Sequence, residues 1–123
     1  MRITVAEARA YFEHPSQQVL GATPETIPDE GLEYWASGPV CLIFHETAHP
    51  DVWMVHLAVR PEGWGYLVDP TLSILQAFWD AKRPRRIVMW IEEHRRAAQA
   101  LARKVGAVVD GQFPGTVMMG WSA

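Results

Sequence analysis

The sequence carries one cysteine, no long apolar run and no internal repeat, and basic residues are scarce in its first two thirds. Cys41 has no second cysteine in the chain, so an intrachain disulfide is excluded and a reducing, cytoplasmic setting is expected. The longest apolar stretches, residues 40–44 and 87–91, fall far short of the ~20 residues a membrane-spanning helix needs. The N-terminus reads Met1-Arg2-Ile3-Thr4-Val5 and reaches Glu7 without the apolar core of a secretory signal. No low-complexity tract interrupts the chain. A membrane protein and a disulfide-built secreted module are therefore both unexpected.

What is present is a globular composition, with 49% hydrophobic and 20% charged residues over 123 positions, enough for one core but not two. A single domain over 1–123 is expected. Six tryptophans raise the area that so short a chain can bury. The net charge of −3 conceals an asymmetry. Residues 1–81 hold three basic side chains against eleven acidic ones, whereas residues 82–104 hold eight basic against two acidic. Such a basic segment suits an anionic ligand or an acidic partner, or it is simply a solvated helix face beside a charged turn. Nucleic-acid binding is not expected, because the aromatic residues do not interleave with the basic ones and the chain as a whole is acidic.

Local signals give an order of elements. Thr4 followed by Glu7 opens a helix over 4–13, which His14-Pro15 ends. A polar connection follows, in which Val19-Leu20 is the one pair suited to docking. Pro28 predicts a second short helix over 29–36, stopped by Ser37-Gly38-Pro39. Strands are expected at 40–44 and 52–59, the second with Met54, His56 and Ala58 on one side and Val55, Leu57 and Val59 on the other. Asp69-Pro70 predicts a helix start with Asp69 as N-cap, and Leu72, Leu75, Gln76 and Trp79 mark its face to about residue 81, with Ile74 and Phe78 flanking it. A strand at 87–91, a helix at 94–105 closed by Gly106, and strands at 107–110 and 116–121 complete the chain. The strands at 52–59 and 87–91, joined through a helix, should run parallel.

Residues 45–49 spell His-Glu-Thr-Ala-His, the spacing by which a helix presents two zinc ligands with a glutamate base. Here the segment follows a strand-like run, and Pro50 pushes His49 out of helical geometry. The nearest third ligand, His56, falls on an expected strand, so a hairpin is the expected context and no metal ligand is assigned.

Residues 54–61, Met-Val-His-Leu-Ala-Val-Arg-Pro, resemble the fourth strand of the GCN5-related N-acetyltransferases (GNAT), which ends in V-x-P before the loop that holds the pyrophosphate of acetyl-CoA. Residues 88–98 with Lys104-Val105-Gly106-Ala107 resemble that family's fifth strand and following helix. The match covers about half the chain and is nearest to acetyltransferase-like proteins of phages and prophages. It implies an α/β domain with a mixed, mostly antiparallel sheet flanked by helices. It also implies acetyl-CoA as co-substrate and a small-molecule or peptide amine as acceptor. On that resemblance the backbone of Leu57, Ala58 and Val59 meets the pantetheine amides. Gly63, Trp64, Gly65 and Tyr66 hold the pyrophosphate, Arg95 reaches a phosphate, and His56 or Glu92 is the general base.

Two departures are visible in the sequence. Aligned without gaps, the small residues of the family's phosphate loop fall on Leu67 and Asp69, and a carboxylate at a helix start competes with phosphate for the same site. The family's tyrosine, a proton donor to the leaving thiolate, falls on Ala102. A non-catalytic protein-binding component of the same fold is therefore the competing expectation, with Asp69 capping its helix and Trp or Met side chains filling the cleft. A zinc peptidase is third.

Overall fold

In the computed structural model, which describes residues 1–18 and 22–123, seven strands form one sheet in the order β1-β2-β3-β4-β5-β7-β6. The strands are β1 Arg2–Ile3, β2 Glu33–Ser37, β3 Val40–Glu46, β4 Val52–Val59, β5 Arg86–Glu92, β6 Val108–Phe113 and β7 Thr116–Trp121. The helices are α1 Val5–Ala8, extended by a 3-10 turn at Arg9–Phe12, then α2 Val68–Lys82 and α3 Arg96–Lys104. Every neighbouring pair is antiparallel except β4 and β5, which run parallel across the α2 crossover. The expected Val19-Leu20 docking pair lies outside the described residues.

Alternation along the strands sends side chains to two cores. On one face Trp35, Leu42, Phe44, Val55, Ile87 and Met119 pack under α2 and α3. Its centre is aromatic: the rings of Phe44 and Phe78 stack at 3.8 Å and 3°, with Trp35 and Trp53 edge-on to Phe78 at 5.5 and 5.2 Å. On the other face Tyr34, Ala36, Cys41, Ile43 and Ala58 are covered by Ala8, Tyr11 and Phe12. α1 starts where expected, through reciprocal bonds between Thr4 and Glu7 at 3.1 and 3.2 Å.

Four expectations are corrected. The length suggests room for one core only, whereas the sheet carries one on each face because helical segments cover both sides. Residues 33–37, read as part of a helix over 29–36, form β2 and pair with all of β3 from Val40 to Phe44. The tight turn at Gly38, with φ of 55°, closes this hairpin, and Tyr34, Trp35 and Ala36 then alternate between the two cores, which a single helix face cannot do. The buried stripe of α2 is Thr71, Ile74, Leu75 and Phe78, one step round the helix from the face centred on Leu72 and Gln76, because the sheet's aromatic centre draws in Phe78. Asp69 is not the N-cap of α2. Leu67 occupies that position without a side-chain bond, and Asp69 sits exposed in the first turn.

Candidate functional site

Strands β4 and β5 are zipped together for only three residue pairs, Val52–Arg86, Trp53–Ile87 and Met54–Val88. Beyond Met54 they part. β4 stays registered on β3 as far as Val59 opposite Val40, while β5 follows β7 as far as Glu92 opposite Thr116. The wedge between them is a cavity of about 420 Å³ walled by Val55 and Leu57, Met89 and Ile91, and α3 residues Leu101 and Ala102. That volume lies within the roughly 300–1,000 Å³ usual for small-molecule sites.

Parting leaves backbone groups without a strand partner. In an antiparallel ladder alternate residues turn their N–H and C=O away from the neighbour. The Arg60 N–H donates to Pro39 O at 2.8 Å on the β3 side, whereas the Val59 N–H donates to Gln17 Oε1 at 3.0 Å on the other side. Residues in phase with Val59, namely Leu57 and Val55, therefore present their amides to the wedge. Ala58 itself is buried on the opposite face, against α1 and its extension. The side-chain amide of Gln17 thus satisfies a strand edge of the kind that pairs with any extended amide chain. Thr71, only 4% exposed, lines the same cavity, and its Oγ1 has no hydrogen-bond partner. A buried hydroxyl without a partner is costly, and here it faces space that a polar ligand atom can enter.

The loop after β4 turns through a 3-10 segment, Pro61–Gly63. The N–H groups of Gly63, Trp64 and Tyr66 donate to Arg60 O, Pro61 O and Gly63 O at 2.9–3.1 Å, so three of the expected phosphate donors close the turn instead. They point neither to the cavity nor to Asp69. Gly63 is required for packing, since a Cβ there would meet Pro39 Cγ at 2.5 Å. Gly65 adopts φ of 95° and turns the chain into α2. Trp64 is half exposed and rests edge-on against His14 at 5.2 Å, and Tyr66 is 82% exposed.

Both candidate bases line the cavity. His56 is exposed on the strand yet crowded by its neighbours, and that partial burial, followed by His45 with its Nε2 3.3 Å from His56 Nε2, holds the imidazole below its ordinary value of 6.5. Glu92, at the end of β5, is tied to Arg95 Nε at 3.4 Å and to His94 Nε2 at 3.4 Å, while its carbonyl accepts from Gln99. Arg95 is the N-cap residue of α3 and also lines the cavity. Ala102, 4% exposed, offers no acid there. His45 and Glu46 end strand β3 and His49 lies in the following turn, so the His-Glu-x-x-His segment lacks the helix that a zinc peptidase requires. Among the described residues no group of three or more His, Cys, Asp or Glu converges on one point. No described helix is long and apolar enough to cross a membrane.

Sequence reasoning missed Gln17, Thr71 and the pairing of His45 with His56. Thr71 had a signal, because it stands four residues before Leu75 and seven before Phe78 on the buried stripe. Gln17, 42 residues from Val59, had none.

No family model matches the sequence, and no curated protein matches it in sequence. Solved structures do match in shape. The GNAT domain of S. lividans PAT superposes with a TM-score of 0.75 at 16% identity, covering 98% of this chain and 88% of that one. A GNAT-family acetyltransferase from Bacillus anthracis superposes with 0.69 at 12% identity, over 95% and 88%. A variant of spermidine N-acetyltransferase from Vibrio cholerae gives 0.60 at 14% identity, over 78% and 68%. The seven-stranded sheet, parted between β4 and β5, has the fold of the GNAT acetyltransferases.

Proposed function

We propose that this chain is an acetyl-CoA-dependent N-acyltransferase acting on the amine of a small molecule or peptide. The parting of β4 from β5 after Met54 carries the reading, because it opens a ligand-sized cavity along an unpaired strand edge. The pantetheine arm of acetyl-CoA is a chain of secondary amides, and a strand edge binds such a chain as it binds another strand. The backbone of Leu57, Ala58 and Val59 is that edge, and Gln17 must release the Val59 N–H for it. Thr71 Oγ1 supplies a further polar contact from α2. Of residues 63–66 Gly65 keeps the phosphate role and shares it with the uncapped first turn of α2, the N–H groups of the other three being engaged in the turn. Arg95 adds positive charge at the cavity, and Asp69 weakens phosphate binding by its own charge.

In the chemical step His56, neutral at pH 7 because its pKa is lowered, takes a proton from the acceptor ammonium. The freed amine lone pair attacks the thioester carbonyl, the C–S bond breaks, and sulfur leaves as thiolate. With no acid at Ala102, the second proton, lost from the acylated nitrogen, passes through water to the thiolate, which leaves a neutral amide and a thiol. Glu92 is the second candidate base, with its carboxylate already engaged by Arg95.

Support for the protein-binding alternative is reduced on both of its own expectations: Leu67, not Asp69, stands at the cap, and the cleft is open. Thermal denaturation with increasing acetyl-CoA tests the proposal. A ligand at 100 times its Kd stabilises by about 2.7 kcal/mol, readily seen as a raised Tm. No shift at millimolar acetyl-CoA sinks the proposal.

A further inference from the structure

We propose that His45 is a positioning residue that fixes the tautomer of His56 and so leaves the His56 Nδ1 lone pair free for the acceptor. This inference rests on His56 being the general base.

Across the β3–β4 ladder Ile43 stands opposite His56 and His45 opposite Met54, so the two histidines are diagonal neighbours on one face of the sheet. Their facing atoms are both Nε2, 3.3 Å apart. The ring planes differ by only 10° while the centroids lie 5.4 Å apart. That separation exceeds the nitrogen distance by close to two ring radii, so the imidazoles meet end to end in nearly one plane. This is the geometry of an N–H···N hydrogen bond, not of ring stacking and not of two lone pairs converging on a metal.

Such a bond holds one proton between two nitrogens. If His56 Nε2 is the donor, its Nδ1 carries a lone pair. If His45 is the donor, the proton of neutral His56 is on Nδ1 and the cavity faces a ring with no basic atom left. Only the first arrangement makes His56 a base, and among the described residues His45 is the side chain bonded to the nitrogen that decides it. His56 lines the cavity whereas His45 does not, so His45 acts through His56. The other polar groups that line the cavity are Ser16 and Gln17 from the N-terminal segment, the Thr71 hydroxyl, the Trp64 and Trp90 indoles, and the Glu92–Arg95 pair, and His56 has a hydrogen bond to none of these. Gln17 is engaged with Val59 and Glu92 with Arg95, which leaves the tautomer to His45.

The proton balance is simple. His56 Nδ1 takes one proton from the acceptor ammonium, releasing the amine lone pair, and His56 becomes an imidazolium that donates from Nε2 to His45 Nε2. No electron is transferred.

Long-range nitrogen–proton NMR of the histidine rings tests this on the free protein, without any need for turnover. His56 is expected as the Nε2–H tautomer. His45→Ala should shift it toward a mixture, and His45→Gln should restore it, because the glutamine oxygen also accepts from Nε2–H. In acetyl transfer, His45→Ala should lower kcat about tenfold or more with KM for acetyl-CoA unchanged, and His45→Gln should recover most of it. An Nδ1–H tautomer in the unaltered protein, or a tautomer that His45→Ala leaves unmoved, overturns the inference. Failure of the base reading looks different: His56→Ala would keep full turnover whatever the tautomer.

Discussion

The two ends of β4 meet the same neighbour and end differently. At Val52–Met54 the strand is paired to β5, and its Trp53 ring packs on Phe78 beneath it. From Val55 to Val59 the alternation continues, yet β5 has moved away and the strand edge is left to Gln17 and the cavity. The closed end holds apolar rings. The open end holds His56, Glu92, the Thr71 hydroxyl and unpaired backbone amides. Apolar packing and the polar lining of the cavity are therefore separated along one strand, within the span of eight residues.

Substitutions at the two ends should fall into different classes. The largest effect is expected at the closed end. Phe78→Ala removes a fully buried ring from the aromatic centre and should cost about 3–5 kcal/mol in chemical denaturation. A loss below about 1 kcal/mol would mean that the closed end is not the structural anchor.

At the open end, the sign reverses. Thr71→Val removes the unpartnered hydroxyl and should stabilise the chain by about 1 kcal/mol while weakening acetyl-CoA binding. Stability and affinity moving in the same direction would break the separation. Asp69→Asn removes a negative charge from the first turn of α2. It should cost the helix about 0.3–1 kcal/mol of dipole interaction and tighten acetyl-CoA at low salt, an effect that fades as salt is raised.

The smallest effect is a pH dependence. His56 has a folded-state pKa below 6.5, so the unfolded chain binds its proton first. Its contribution to stability is present above pH 6.5 and is lost as the pH falls through the lowered value. Comparing Tm between pH 7 and pH 5, the His56→Gln protein should lose less than the unaltered one. An equal loss would show that the open end does not hold a desolvated histidine.

Much of the closed end was legible in the sequence. The alternation of β4, the apolar run of β5 and the helix between them required a parallel pair, which is present. β2 was misread because Pro28 is a strong helix signal, whereas the features that make residues 33–37 a strand are distant: the β3 partner and a separate core on each face. Asp69-Pro70 likewise looks like a cap in isolation, but the turn through Gly65 starts α2 two residues earlier and gives the cap position to Leu67. At the open end His56, Glu92 and Arg95 were named as candidates from the family's pattern, and all three line the cavity. His45 could be joined to His56 only once the β3–β4 register was known, since a shift by one residue sends each ring to the other face. Gln17 reaches Val59 from a segment that carries no pattern of its own.

The most direct test follows the amide signals of the protein by NMR while acetyl-CoA is added. The amides of Leu57, Val59 and Thr71 should shift and saturate together, with Trp53 and Ile87 at the closed end unmoved. Saturating acetyl-CoA that leaves Leu57 and Val59 in place would contradict the assignment of the parted strands as the acyl-donor site.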